Sequence, residues 1–82
     1  MSLVELTEEI VKSLVANPDS VSVKEFPTEE ENVMLIQVMV EESDIGKVIG
    51  KEGRTANAIR TLVQASSALK DNKYVKIDID KF

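Results

Sequence analysis

An 82-residue chain has room for one small hydrophobic core, so residues 1–82 are expected to form a single domain burying about 60–65% of the unfolded surface. The chain holds neither cysteine nor histidine, which excludes disulfides, thiol chemistry, ordinary zinc sites and histidine-dependent catalysis. A net charge of −5 argues against a polyanion as partner until its distribution is read. Residues 1–44 carry Lys12 and Lys24 against eleven acids, whereas residues 45–76 carry seven cations against only Glu52 and Asp71.

In chain order, Met1 to Glu5 has no basic leader, and the longest apolar run, Val33 to Val40, is interrupted by Gln37. Neither a signal peptide nor a membrane span is expected. Leu3, Leu6, Ile10 and Leu14, with Val11 and Val15, recur at helical spacing until Asn17-Pro18-Asp19. Glu5, Glu8 and Glu9 fall where the helix dipole favours them and read as a solvated face. Val21 to Phe26 reads as a short strand ended by Pro27. Glu29, Glu30 and Glu31 follow as a charged turn, read as solvated and not as a metal site. Val33 to Val40 is apolar on both faces, as in an interior strand, with Met34 and Met39 read as core filler.

Ser43 or Asp44 is expected to cap a one- or two-turn helix, Ile45 to Ile49, halted at Gly50. A longer helix starts after Gly53, with an expected inner stripe of Ala58, Ile59, Leu62, Ala65, Ser66 and Leu69. Tyr74 to Asp80 alternates as a strand with Val75, Ile77 and Ile79 inward. The order helix, two strands, two helices, strand is that of a two-layer α+β domain.

All three glycines, Gly46, Gly50 and Gly53, lie within nine residues, together with Lys47, Lys51 and Arg54. Glycine supplies positive φ and close backbone approach, and the amides at a helix start attract anions. Ile45, Val48, Ile49 and Ile59 are expected to line an aliphatic groove beside the turn, with the long apolar strand as its far wall. The pattern lacks the spacing and the hydroxyl of a nucleotide-hydrolase phosphate loop and the G-x-G of a dinucleotide site. No catalytic constellation converges anywhere, and neither cofactor nor metal is expected. A small acylphosphatase-like enzyme would open with a strand, where this chain opens with a helix.

The segment GKVIGKEGRTANAIRTL resembles the core of a KH domain, whose GXXG loop clamps about four nucleotides. With a helix and two strands before the loop and one strand after it, the order is similar to the type II arrangement, α-β-β-α-α-β, a three-stranded sheet with helices on one face. The resemblance runs from Leu3 to Ile79 and is closest to the stand-alone KhpA family of small bacterial proteins. It implies a cytoplasmic, non-catalytic protein that binds single-stranded RNA as a post-transcriptional regulator or RNA chaperone. By the same match, Gly50, Lys51, Glu52 and Gly53 form the clamp with Gly46 beside it, Ile49 and Ile59 lie in the groove, and Lys47, Arg54 and Arg60 face phosphate. It further implies a homodimer, or a heterodimer with a larger KH-containing partner of the KhpB (Jag-like) kind. An acid at Glu52 and the acidic first half depart from what an RNA binder needs. The rival reading is a KH fold used for protein interaction or dimerisation, with apolar helix surface near Leu62 and Val63 as its interface.

Overall fold

Alternation along one strand decides the architecture. The computed structural model describes residues 1–82. They form α1 (Leu3–Leu14), β1 (Ser22–Phe26), β2 (Val33–Val40), α2 (Ile45–Ile49), α3 (Arg54–Lys70) and β3 (Tyr74–Lys81), with 3-10 turns at Pro18–Ser20, Glu42–Asp44 and Lys51–Gly53. β2 is central, antiparallel to β1 and parallel to β3. Its residues Met34, Ile36, Val38 and Val40 are buried, while Val33, Leu35, Gln37 and Met39 are only half-buried. Successive side chains point to opposite faces of a sheet, so all three helices cover one face and leave the other open. Met39, expected in the core with Met34, therefore lies on the open face. No helix is long and apolar enough to cross a membrane.

Packed against the buried face are Leu3 and Val11 of α1, Val48 of α2, and Ile59 and Val63 of α3. Burying each such side chain is worth about 1.5–3 kcal/mol. α1 starts with a capping box: the Glu5 N–H donates to Ser2 Oγ at 3.0 Å, and the Ser2 N–H donates to Glu5 Oε1 at 3.2 Å. The Ser2 backbone and hydroxyl hold the Glu5 carboxyl below its ordinary pKa.

In α3 the buried residues are Ala56, Ile59, Val63 and Ser67. Of the expected stripe only Ile59 is buried; Leu62 and Leu69 are 53% and 88% exposed. The true stripe sets Ile59 and Val63 between the small residues Ala56 and Ser67, which let the helix approach the sheet closely at its two ends. Ser67 is tolerated there because its hydroxyl donates to the Lys73 carbonyl at 2.8 Å and accepts from the Lys73 N–H at 3.2 Å. α3 then stops at Asn72, whose φ of 53° is left-handed.

Neither Ser43 nor Asp44 caps α2 with its side chain. Asp44 is instead fully buried, and its carboxylate reaches across the fold. It accepts from the Ala16 N–H at 3.1 Å, the Asn17 N–H at 3.0 Å, Asn17 Nδ2 at 3.1 Å and Lys47 Nζ at 3.1 Å. Burial pushes this carboxyl up, but the Ala16 amide, the Lys47 ammonium and the two Asn17 donors outweigh it and hold the pKa at about 2.

The turn from α2 to α3 is made of left-handed backbone. Gly50 has φ 75° and ψ 177°, Glu52 φ 57° and ψ 25°, and Gly53 φ 75° and ψ 12°. The Gly50 conformation is all but closed to residues with a side chain. A Cβ there would also collide with the Thr55 side chain at Oγ1. Gly53 has the same φ but open space around it.

Two outcomes follow for stability. A carboxyl whose folded pKa is depressed adds stability that is complete above its ordinary value of 3.8 and vanishes as pH falls through about 2. The urea midpoint of the wild type should fall between those values, and Asp44→Asn should lower the midpoint at neutral pH while flattening the acid limb. Gly50→Ala should cost about 2–3 kcal/mol, from strain and from the collision with Thr55. A urea midpoint unchanged by that substitution would contradict this geometry.

Candidate nucleic-acid interface

Two helices and an edge strand build the site. α2 leads into the Lys51–Gly53 turn, and that turn opens directly into α3, whose N-terminus no side chain caps. Some of the turn's amides are already used. The Gly50 N–H donates to Gly46, the Gly53 N–H to Gly50 at 3.2 Å, and the Arg54 N–H to Lys51. Gly46 and Gly53 each face open space, so the two ends of the unit present bare backbone to solvent.

Of the expected cations, two are internally paired. Lys47 sits 3.1 Å from Asp44, and Arg54 lies 3.5 Å from Glu52 with both side chains exposed. Exposed pairs of the second kind are worth little and are readily exchanged. Lys51 is exposed and has no ion-pair partner. Arg60 lies across the seam between α3 and β3: its Nε donates to the Ile77 carbonyl at 3.3 Å, and Nη1 to Asn57 Oδ1 at 3.4 Å.

The expected aliphatic groove needs correction. Val48 and Ile59 are 0% and 3% exposed and belong to the core, because they fall on the sheet-facing sides of their helices. Ile45 and Ile49 are half-buried. The far wall is also not β2, which is central. The molecule's cavity, about 620 Å³, lies instead between α3 and β3. Arg60, Thr61, Gln64, Ala65 and Ala68 form one side, and Tyr74, Val75, Lys76 and Ile77 the other.

That far wall is a sheet edge with a readable hydrogen-bond parity. The N–H groups of Tyr74 and Phe82 donate to the carbonyls of Asn32 and Val40, on the β2 side. Backbone groups alternate in direction along a strand, so Val75, Ile77 and Ile79 turn theirs outward. Gln64 meets the first of these like a short neighbouring strand: Nε2 donates to the Lys73 carbonyl at 2.9 Å, and Oε1 accepts from the Val75 N–H at 2.8 Å. Arg60 takes the Ile77 carbonyl. The remaining outward groups, among them the Val75 carbonyl and the Ile77 N–H, are available to a flat polar ligand in the cavity.

Of the residues that line the cavity, sequence reasoning named Arg60 as a site residue and did not name Gln64, Ala65, Ala68, Tyr74 or Lys76. The signal was there in part: Arg60 and Gln64, four apart, flank the buried stripe of a helix that carries unusually small residues beside it.

The model of the KhpA/KhpB KH-domain family matches residues 4–79. The chain is 49% identical over 75 residues to the RNA-binding protein KhpA of Caldanaerobacter subterraneus subsp. tengcongensis, and equally to that of Clostridium perfringens. Each match covers 92% of this chain and 96% of the relative. Among solved structures, Aquifex aeolicus Era bound to GDP·AlF4− superposes with a TM-score of 0.71 at 21% identity, over 98% of this chain and 30% of that one. Era in complex with MgGDPNP and nucleotides 1506–1542 of 16S ribosomal RNA gives 0.68 at 22% identity, over 96% and 29%. At such identities the Era likeness speaks to fold alone, and this chain spans less than a third of Era. The helix–turn–helix with its glycines, the strand order and the matched relatives agree: this chain belongs to the KhpA/KhpB family of KH-domain proteins.

Proposed function

We propose that this protein binds single-stranded RNA, with the Gly50–Gly53 turn holding the sugar-phosphate backbone and the α3–β3 cavity receiving bases. One observation carries the reading. An unpaired lysine, Lys51, stands between the positive-φ glycines Gly50 and Gly53 at an uncapped helix start, and from Arg60 onward the same helix lines a cavity with free strand-edge hydrogen-bonding groups. The names of the curated relatives, RNA-binding protein KhpA, support it. In this reading Lys51 meets phosphate first, and Arg54 exchanges Glu52 for phosphate. Gly46 and Gly53 allow close approach, Ile49 gives the turn an apolar flank, and Arg60 marks the entrance to the cavity. Lys47 contributes less than its position suggests, because Asp44 already holds it. Ile59 supports the site from beneath. RNA of this kind is met in the cytoplasm, which we take as the site of action, in post-transcriptional regulation or as an RNA chaperone.

A second observation favours pairing with another protein. Ala58, Leu62, Ala65 and Leu69, spaced four, three and four apart, form an exposed apolar seam along α3. That spacing is a helix-packing pattern. Its occupant is proposed to be a second copy of this chain or a larger KH-containing partner of the KhpB kind.

Lys51→Asp should abolish binding in a gel-shift titration with random-sequence oligoribonucleotides and leave the unfolding transition unchanged. Gly53→Asp should behave alike at a cost of about 1–2 kcal/mol, since its φ is left-handed but its surroundings are open. For two or three neutralised phosphates, log K should fall against log salt with a slope of about −1.5 to −2. Leu62→Glu should lower the mass seen by light scattering and weaken RNA binding without abolishing it; a mass independent of that substitution would remove the seam as an interface.

A further inference from the structure

The open face of the sheet carries a feature the groove does not explain. Register sets Phe26 beside Leu35 and Leu35 beside Lys76, with Tyr74 beside Val33 in the next row and Lys24 beside Gln37 on the other side. The chain has only three aromatic residues. Two of them, Phe26 and Tyr74, share one end of this face and are 40% and 58% exposed. Between them lie the half-buried side chains of Val33 and Leu35. Tyr74 and Lys76 also border the α3–β3 cavity. They stand on the edge strand, so the cavity and the open face meet along β3.

We propose that this end of the sheet is a second RNA subsite, continuous with the cavity. The inference rests on the RNA reading of the cavity. A strand leaving it crosses β3 at Tyr74 and Lys76, and the next one or two bases lie on Phe26, Leu35 and the Tyr74 ring. Exposed rings accept any base by stacking, and Lys24 and Lys76 flank the rings within reach of phosphate. Two strand spacings, about 10 Å, separate the Phe26 and Lys76 backbones, which suits one or two stacked nucleotides. The patch is bounded by acids: Glu29, Glu30 and Glu31 in the β1–β2 turn, and Asp78 and Asp80 farther along β3. These limit the path to a short extension. They also disfavour a second copy of this chain on the same face, since it would bring the same acids against them.

The test compares uridine tetra- and octanucleotides on the full chain by NMR, following the amides of Gly50 to Arg54, the Phe26 and Tyr74 rings and the Leu35 methyls. Tyr74 is the single tyrosine and the chain has no tryptophan, so its ring signals are unambiguous. Both lengths should move the loop amides, and only the octanucleotide should move Phe26 and Leu35. Phe26→Ser should weaken the octanucleotide about 5- to 30-fold and leave the tetranucleotide unchanged, with Lys24→Gln acting in the same direction should Phe26→Ser perturb folding. Loop amides that move while Phe26 and Leu35 stay still would overturn the subsite and leave the cavity reading standing. Loop amides unmoved by either length would sink both. Sheet resonances that shift with protein concentration and not with RNA would also overturn it, assigning the face to self-association.

Discussion

A buried carboxylate is tolerable only when its lone pairs are taken up by donors, and Asp44 meets that condition with four. Three of the donors come from Ala16 and Asn17, in the segment between α1 and β1, and the fourth from Lys47 on α2. One side chain therefore ties the start of the chain to the helix that leads into the turn. α2 has five residues and no side-chain cap of its own. A helix that short has no independent stability, so its direction, and with it the aim of Gly50 to Gly53, depends on that anchorage and on Val48 in the core.

The same arrangement changes how the charge of the turn is read. Counted from sequence, Lys47, Lys51 and Arg54 are three cations facing one ligand. In the fold they are graded by their partners. Lys47 is bound to a buried acid held by three other donors, Arg54 to one that is exposed, and Lys51 to none. The acid at Glu52, which looks like a defect in the motif, has a backbone role as well. It occupies a left-handed position between two glycines, where it costs conformational energy and holds the Arg54 guanidinium near the turn. On the proposed RNA reading, electrostatic attraction for a polyanion would accordingly be modest, and recognition would fall more heavily on close approach and on the strand edge.

What was legible in the sequence were the features set by local chemistry. The run of elements followed from periodicity and from Asn17-Pro18 and the glycines, and the positive φ at Gly50 followed from the need to stop α2. Tertiary choices were not legible in the same way. The rotation of α3 was misjudged because Leu62 and Leu69 outweigh Ala56 and Ser67 in hydrophobicity. Close packing prefers the small residues, and Ser67 is admitted by its bonds to Lys73. The groove was misplaced for another reason: the apolar run of β2 marked it as interior, but only strand pairing shows that β1 and β3 cover both its edges and leave β3 as the wall beside α3. Asp44 read as a helix cap because three of its four donors, on Ala16 and Asn17, lie nearly thirty residues away.

Around its circumference α3 has three neighbours, and this explains why a helix with so ordinary a composition organises the domain. Ala56, Ile59, Val63 and Ser67 face the sheet; Arg60, Gln64 and Ala68 face the cavity and the β3 edge; Ala58, Leu62 and Leu69 face outward. At 100° per residue these sectors cannot be independent, and Ala65 borders both the cavity and the outer seam. A protein docked along the seam would therefore alter the rim of the cavity, and bases in the cavity would alter the seam. A single small domain contacting a few nucleotides binds weakly, and pairing two such domains raises the effective concentration of the second site without a new contact. On the proposed reading, the adjacency of seam and cavity on one helix would make that pairing and RNA binding parts of one linked equilibrium.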